Sequence, residues 1–170
     1  MKFTAILTIL ALVLFSSGNT NKKNNGISKE TTTFYLVRHA EKDTSVAENP
    51  PLTETGIQRA KSLAIFLEDK NVAAVYSTNY KRTKSTAKFT AESNTVVIQY
   101  YQPGALYSES FLEKHKGETV LIVGHSNTIP SLVNKILGEN RFDMIPEKEY
   151  DHLYIVTIKD DNVAALFEKM

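Results

Sequence analysis

The chain contains no cysteine. No disulfide can brace the fold, no thiolate can ligate zinc, and no lipid can be attached through an N-terminal cysteine, so stability must come from the core alone. Charge imbalance is also lacking, because 20 lysines and arginines face 19 acidic residues and leave a formal net charge of +1. That balance gives no reason to expect nucleic acid or an anionic membrane as partner, and any anion site must be built from a local cluster. A membrane-spanning run is missing too. The apolar stretch Phe3 to Phe15 falls short of the ~20 residues needed to cross a bilayer. With Lys2 before it and Ser16, Ser17 and Gly18 after it, it reads as a cleavable secretory signal over 1–18. The expected destination is the periplasm or the cell exterior, with no stable membrane anchor after cleavage.

A length of 170 residues fits one domain, and hydrophobic content of 42% with charged content of 23% is ordinary for a soluble globular protein. Residues 19–33 are rich in Asn, Lys, Ser and Thr and read as a polar linker, leaving 34–170 as the folded domain. From Phe34 onward, short apolar runs alternate with helix-like periodic segments, the pattern of a βαβ-built parallel sheet. Strands are predicted at 34–38, 72–77, 95–100 and 119–124. Ile57, Ala60, Leu63, Ala64 and Leu67 recur at spacings of three and four, predicting a helix with Thr53 as N-cap. Further helices are predicted over 81–91, 105–114 and 129–137, the last with Pro130 at its first position and Gly138 beyond its end. Leu153 to Ile158 and Val163 to Phe167 read as a closing hairpin that makes the sheet mixed at that end.

The chemistry gathers at strand ends. Arg38 and His39 follow the run Phe34-Tyr35-Leu36-Val37, and His125 follows Val120-Leu121-Ile122-Val123-Gly124. In open α/β sheets the ligand crevice lies beyond the carboxyl ends of parallel strands, so the two histidines are expected to share a site. Arg82 opens a helix after the second strand, where free N–H groups and the helix dipole also favour an anion. A phosphoryl group needs such donors around its oxygens and a nucleophile in line with the leaving oxygen. Arginine supplies the donor fork and histidine the nucleophile.

From Phe34 to the C-terminus the chain resembles the histidine phosphatase superfamily, also called phosphoglycerate-mutase-like, in its compact short-chain branch. The motifs that carry the resemblance are Leu36-Val37-Arg38-His39-Ala40-Glu41, Leu52-Thr53-Glu54-Thr55-Gly56-Ile57-Gln58-Arg59-Ala60, Tyr76-Ser77-Thr78 with Arg82-Thr83-Lys84-Ser85-Thr86-Ala87, and Val123-Gly124-His125-Ser126. The resemblance implies a three-layer α/β/α sandwich with a mostly parallel central sheet. It also implies that His39 becomes a phosphohistidine while Arg38, Arg82 and His125 hold the phosphate oxygens. Ala40 stands where familiar members carry glycine, but it too is small. The scheme needs no metal or cofactor.

The proton donor is where the resemblance breaks. Many members place a glutamate after the third strand, whereas this chain has Tyr100-Tyr101-Gln102-Pro103. Glu109 and Glu41 are the candidate donors, with Asp43, Asp151 or no dedicated acid as the other readings. Arg59 reads as a solvated helix charge, His115 between two lysines as solvent-facing, and His152 as structural. None of the histidines shows HxH or HExxH spacing, so no metal site is legible. The function expected is an exported, metal-independent phosphatase acting on a small-molecule phosphate ester. The alternatives are a protein-phosphohistidine phosphatase and a non-catalytic phosphate-binding module of the envelope.

Overall fold

A computed structural model describes residues 30–160 and 162–170. The expected signal segment and most of the linker lie outside the described residues. The first strand, β1, runs Thr31–Arg38 and so takes in the last three residues of the stretch read as linker. The polar threonines belong to it because β1 is flanked by strands on both sides, and Thr31 and Thr33 are already in register with neighbours.

The remaining elements follow in chain order: α1 Glu54–Phe66, β2 Val72–Ser77, α2 Lys81–Ser93, β3 Ile98–Tyr100, α3 Glu109–Lys114, β4 Thr119–Gly124, α4 Thr128–Leu137, β5 His152–Lys159 and β6 Asn162–Lys169. They form one six-stranded sheet in the order β3-β2-β4-β1-β5-β6. The first four in that order are parallel; β5 and β6 pair antiparallel, closing the sheet as the hairpin pattern predicts. Among the described residues no helix is long and apolar enough to cross a membrane.

Alternate residues of the strands face opposite layers. Phe34, Leu36, Tyr76, Val120 and Ile122 pack with Phe111 of α3 and Ile129, Val133 and Ile136 of α4. Tyr35, Val37, Val75, Leu121 and Val123 pack with Leu63 of α1 and Ala87 and Ala91 of α2. The result is the expected three-layer sandwich. Full burial of such side chains is worth about 1.5–3 kcal/mol each, and a chain without disulfides depends on that sum.

Besides the earlier start of β1, several boundaries differ from the sequence reading, three of them for a clear local reason. The β3 strand starts at Ile98 rather than 95, because Thr95 takes a left-handed φ of 56° while Val96 N–H closes back on the Ala91 carbonyl. The chain there is still finishing α2. The helix α3 starts at Glu109 rather than 105, because the Ser108 hydroxyl accepts from Phe111 N–H and caps it. Pro130 is the third residue of α4, not the first; within the first turn its missing N–H still costs no helical bond. The caps at Thr53 and Gly138 stand as predicted.

His115 is a correction. It is only 2% exposed. Its ring packs on Tyr76 and Phe111, Nε2 meets the Tyr76 hydroxyl at 2.8 Å and Nδ1 meets Glu118 at 2.7 Å. The flanking lysines misled the reading, because α3 ends at Lys114 and the chain turns His115 into the core while the lysines stay outside.

Gly56 packs against the loop that carries the first histidine. A methyl group there would overlap the Glu41 carbonyl oxygen. Gly56→Ala is expected to lower unfolding stability by about 1–3 kcal/mol, read as a shift of the urea midpoint. An unchanged midpoint would show that the contact is not tight.

Candidate active site

The site starts from one register. In the parallel pair β1–β4, Arg38 stands opposite Gly124, and His39 N–H donates to the Gly124 carbonyl at 2.9 Å. The next residues along both strands are therefore neighbours, and the His39 and His125 rings lie 5.6 Å apart. Gly124 is needed at this crossing, since a Cβ would stand 2.7 Å from the Tyr101 hydroxyl and 2.9 Å from Ile129.

Arg38 is 2% exposed, with its guanidinium gripped by the chain after α4. Nη1 donates to the carbonyls of Pro146, Glu147 and Glu149 at 2.8–3.1 Å, Nη2 donates to the Glu147 carboxylate at 3.1 Å, and the ring of Tyr150 lies 4.2 Å away. Arg82, on the first turn of α2, stacks on Tyr80 at 4.6 Å and donates to His125 Nδ1 at 3.4 Å. The Nε atoms of both arginines are buried and have no partner among the described residues. Buried donors of that kind are costly to leave unpaired and leave capacity for a ligand oxygen.

The histidines are held in defined protonation states. His39 Nδ1 lies 2.8 Å from the Ala40 carbonyl, which can only accept, so Nδ1 carries the proton and Nε2 keeps its lone pair. Burial, then the positive charges of Arg82 and Arg38, push its pKa down to about 3. His125 is pushed down to about 4 by burial and the same two arginines. Because Arg82 donates to His125 Nδ1, the Nε2 proton of His125 faces Thr78 Oγ1 at 3.0 Å. Thr78 Oγ1 in turn donates to Thr83 Oγ1 at 3.0 Å, and Thr83 donates to the Thr78 carbonyl at 2.8 Å. If Arg82 turns to a bound oxyanion, rotation of the Thr78 hydroxyl lets Nε2 accept and Nδ1 carry the proton instead.

These residues line a cavity of about 430 Å³ together with Lys42, Tyr80, Ser126 and Glu147. Three cationic side chains, one nucleophilic imidazole nitrogen and the first turns of α2 and α4 surround it, an arrangement that holds a tetrahedral oxyanion. His39, Arg38, Arg82 and His125 are thus brought together. Glu41 and Glu109 are not. Burial works to raise the Glu41 pKa, but the hydrogen bonds of Arg59 outweigh it and hold Glu41 below the usual carboxylate range. Arg59 grips it with Nε at 3.0 Å and Nη2 at 2.7 Å and also donates to the Met170 carbonyl. Arg59 is therefore a clamp on the loop after His39, not a solvated charge; its helical spacing gave no sign of a partner so far along the chain. Glu109 sits exposed in the first turn of α3, outside the lining. Asp43 caps a turn with Ser45, and Asp151 faces Lys169.

Among the described residues, the carboxylate that does line the cavity is Glu147, which the sequence reading did not single out. Its side chain is 66% exposed and bridges Lys42 at 2.8 Å and Arg38 at 3.1 Å. The Lys42 hydrogen bond foremost holds its pKa below the usual range. Lys42, Thr78, Tyr80 and Tyr150 were missed as well. Glu147 and Tyr150 lie in irregular chain with no periodicity to flag them. One group of ligating side chains converges elsewhere, Glu149, Asp151 and His152. Lys169 already supplies it with positive charge, 3.4 Å from both carboxylates. His152, bonded to Glu149 at 2.8 Å, is structural in this cluster.

Residues 34–102 match the family model of the histidine phosphatase superfamily (branch 1). No curated protein matches the chain by sequence. Among solved structures, YhfR of Bacillus stearothermophilus is 22% identical with a TM-score of 0.64, covering 81% of this chain and 96% of that one. The protein histidine phosphatase SixA complexed with tungstate is 15% identical with a TM-score of 0.65, covering 81% and 96%. A phosphoglycerate mutase from Bacillus anthracis is 15% identical with a TM-score of 0.60, covering 84% and 93%. These likenesses establish the phosphoglycerate-mutase-like fold.

Two expectations follow from the histidine geometry. An unfolded chain protonates His39 near its ordinary 6.5, whereas the native chain resists protonation down to about 3. The unfolded state therefore binds more protons between those values, and stability falls as pH drops through that window, by at most about 1.4 kcal/mol per pH unit for this group. Denaturant titrations from pH 7 to 4 should show the decline, and His39→Asn should make it shallower, leaving the share due to His125; an unchanged slope would contradict the buried neutral state of His39. Secondly, Thr78→Val removes the partner of His125 Nε2. Affinity for inorganic phosphate, measured by calorimetry, should fall about 10-fold, while Thr78→Ser should stay within about 2-fold of the parent.

Proposed function

We propose that the chain is a metal-independent phosphatase that works through a phosphohistidine on His39. The observation that carries this reading is the free Nε2 lone pair of His39, fixed by the Nδ1–H bond to Ala40, at the floor of a cavity ringed by Arg38, Arg82 and Lys42. Phosphate oxygens would take the arginine and His125 donors, and Nε2 would attack phosphorus as the bond to the leaving oxygen breaks. The positive charge of the resulting phosphohistidine is relieved through Nδ1–H and Ala40. Water then attacks phosphorus, the P–N bond breaks, and inorganic phosphate leaves with neutral His39 restored. Splitting one displacement into two is the gain from covalent catalysis.

The cavity's single acidic side chain among the described residues is held ionised by Lys42 and Arg38, so it is a poor proton donor. This favours leaving groups that depart without a proton from the protein. Aryl phosphates fit that requirement, and alkyl phosphates do not. The same feature supports the second reading, a protein-phosphohistidine phosphatase, because an imidazole is likewise a weakly basic leaving group. The apolar run Phe3 to Phe15 supports action outside the cytoplasm. Recovery of the unprocessed full-length chain in the cytoplasmic fraction would overturn that part.

Hydrolysis of p-nitrophenyl phosphate should proceed in excess EDTA and fall at least about 10³-fold in His39→Ala. Rapid quench should trap an acid-labile, base-stable phosphoprotein that His39→Ala does not form. Glycerol phosphate should turn over more slowly by about 10²–10⁴-fold, the usual worth of a general acid. Equal activity of parent and His39→Ala would remove the enzymatic reading, and comparable rates on the two esters would require a donor that the site lacks.

A further inference from the structure

The geometry points to a second binding site for the alcohol half of the substrate, in the cleft between the segment after β3 and the helix α4. The inference rests on the phosphatase reading and extends it to the substrate class: a small aryl phosphate whose ring carries an anionic substituent at its far end.

The cleft has a volume of about 280 Å³ and shares Pro103, Asn127 and Thr128 with the phosphate cavity, so the two are continuous. Its walls are apolar on both sides. Pro103 and Leu106 come from the segment after β3, and Leu132 from α4. Leu106 and Leu132 are partly buried against the core cluster, so their apolar faces are fixed rather than free to fold away. A planar hydrocarbon body gains most in such a slot, and it can enter edge-on beside the phosphate.

The far end is marked by Lys135. Asn127, Ser131 and Lys135 recur at intervals of four along α4 and line the same side of the cleft, about 12 Å from first to last at the helical rise. Among the described residues the Lys135 ammonium has no acidic partner; its polar contact is the Tyr107 carbonyl at 3.3 Å. A cation with one carbonyl contact keeps two N–H donors for a carboxylate or sulfonate. The two other recesses beside the phosphate cavity lack this combination. The larger, about 870 Å³ along the end of α4, shares Asn127, Ser131 and Lys135 with the cleft, but it also exposes Glu139 and Asp143, which repel an anion. The recess beside Lys42 and Arg82, about 400 Å³, is lined by Val46, Ala47, Pro50 and Tyr80 as well, but its cations are the two that already line the phosphate cavity, so it has no separate cation for the far end of a substrate. An aryl leaving group also agrees with a site whose carboxylate cannot supply a proton.

The test compares three esters on the full folded domain: p-nitrophenyl phosphate, 2-naphthyl phosphate and 6-carboxy-2-naphthyl phosphate. The carboxylated ester should show the highest kcat/KM after correction for leaving-group pKa. Ser131→Phe, at an exposed α4 position, fills the cleft with a ring. It should lower kcat/KM for both naphthyl esters about 10-fold or more and leave p-nitrophenyl phosphate within about 2-fold. Lys135→Gln should raise KM for the carboxylated ester about 10-fold at unchanged kcat, with no change for 2-naphthyl phosphate. If Ser131→Phe affects all three esters alike, or Lys135→Gln does not separate the two naphthyl esters, the second site is overturned while the phosphatase reading stands. If the parent hydrolyses none of them, the phosphatase reading fails and this inference with it.

Discussion

The parallel pairing of β1 with β4 is the constraint on which the rest depends. Arg38 opposite Gly124 leaves two histidines side by side at the carboxyl edge of the sheet, with the ladder bond from His39 N–H to Gly124 fixing their relative height. A slip of one residue would turn each side chain to the opposite face and bury His39 among the helices. The register is held by Phe34, Leu36, Val120 and Ile122 on one face and by Tyr35, Val37, Leu121 and Val123 on the other. The same apolar contacts that stabilise the fold thus place His39 and His125 at that edge.

Electrostatics then decide how those histidines behave. Burial foremost, and then the two guanidinium groups beside them, keeps both imidazoles neutral, and the carbonyl of Ala40 chooses which nitrogen of His39 is bare. Neither arginine has its charge cancelled by a buried carboxylate. Arg38 is held by backbone carbonyls, which orient it without neutralising it, and its one acidic contact, Glu147, lies at the exposed rim. The site therefore stays electropositive, as an anion site must. Holding cations this way costs stability that the core must offset, since burial itself disfavours the charged Arg82.

A short hydroxyl chain plays the part that a carboxylate would otherwise play behind His125. Thr78 and Thr83 satisfy Nε2 without adding charge, and the Thr78 hydroxyl can turn to donate once Arg82 leaves Nδ1 for a bound anion. A carboxylate there would draw a proton onto the ring and form an ion pair next to Arg82. The threonines keep the ring adaptable instead.

The sequence by itself determined the architecture and which four residues, Arg38, His39, Arg82 and His125, meet at the sheet edge. Apolar runs ending in Arg38-His39 and Gly124-His125, with Arg82 opening a helix, suffice because strand ends of a parallel sheet converge on one edge. The closing hairpin and the caps at Thr53 and Gly138 were legible for the same kind of local reason. What lies between them was not. Glu147 and Tyr150 reach Arg38 from more than a hundred residues away in irregular chain, Arg59 finds Glu41 across a loop, and His115 turns inward despite its lysine neighbours. Such partnerships are set by how loops fold over the sheet edge, and periodicity carries no record of them. The candidate proton donors failed on that ground, since nearness in sequence to His39 or to a helix start does not fix distance to a cavity. Only the tertiary structure decided which charges meet, because side-chain pairing over long separations is a property of packing and not of local spacing.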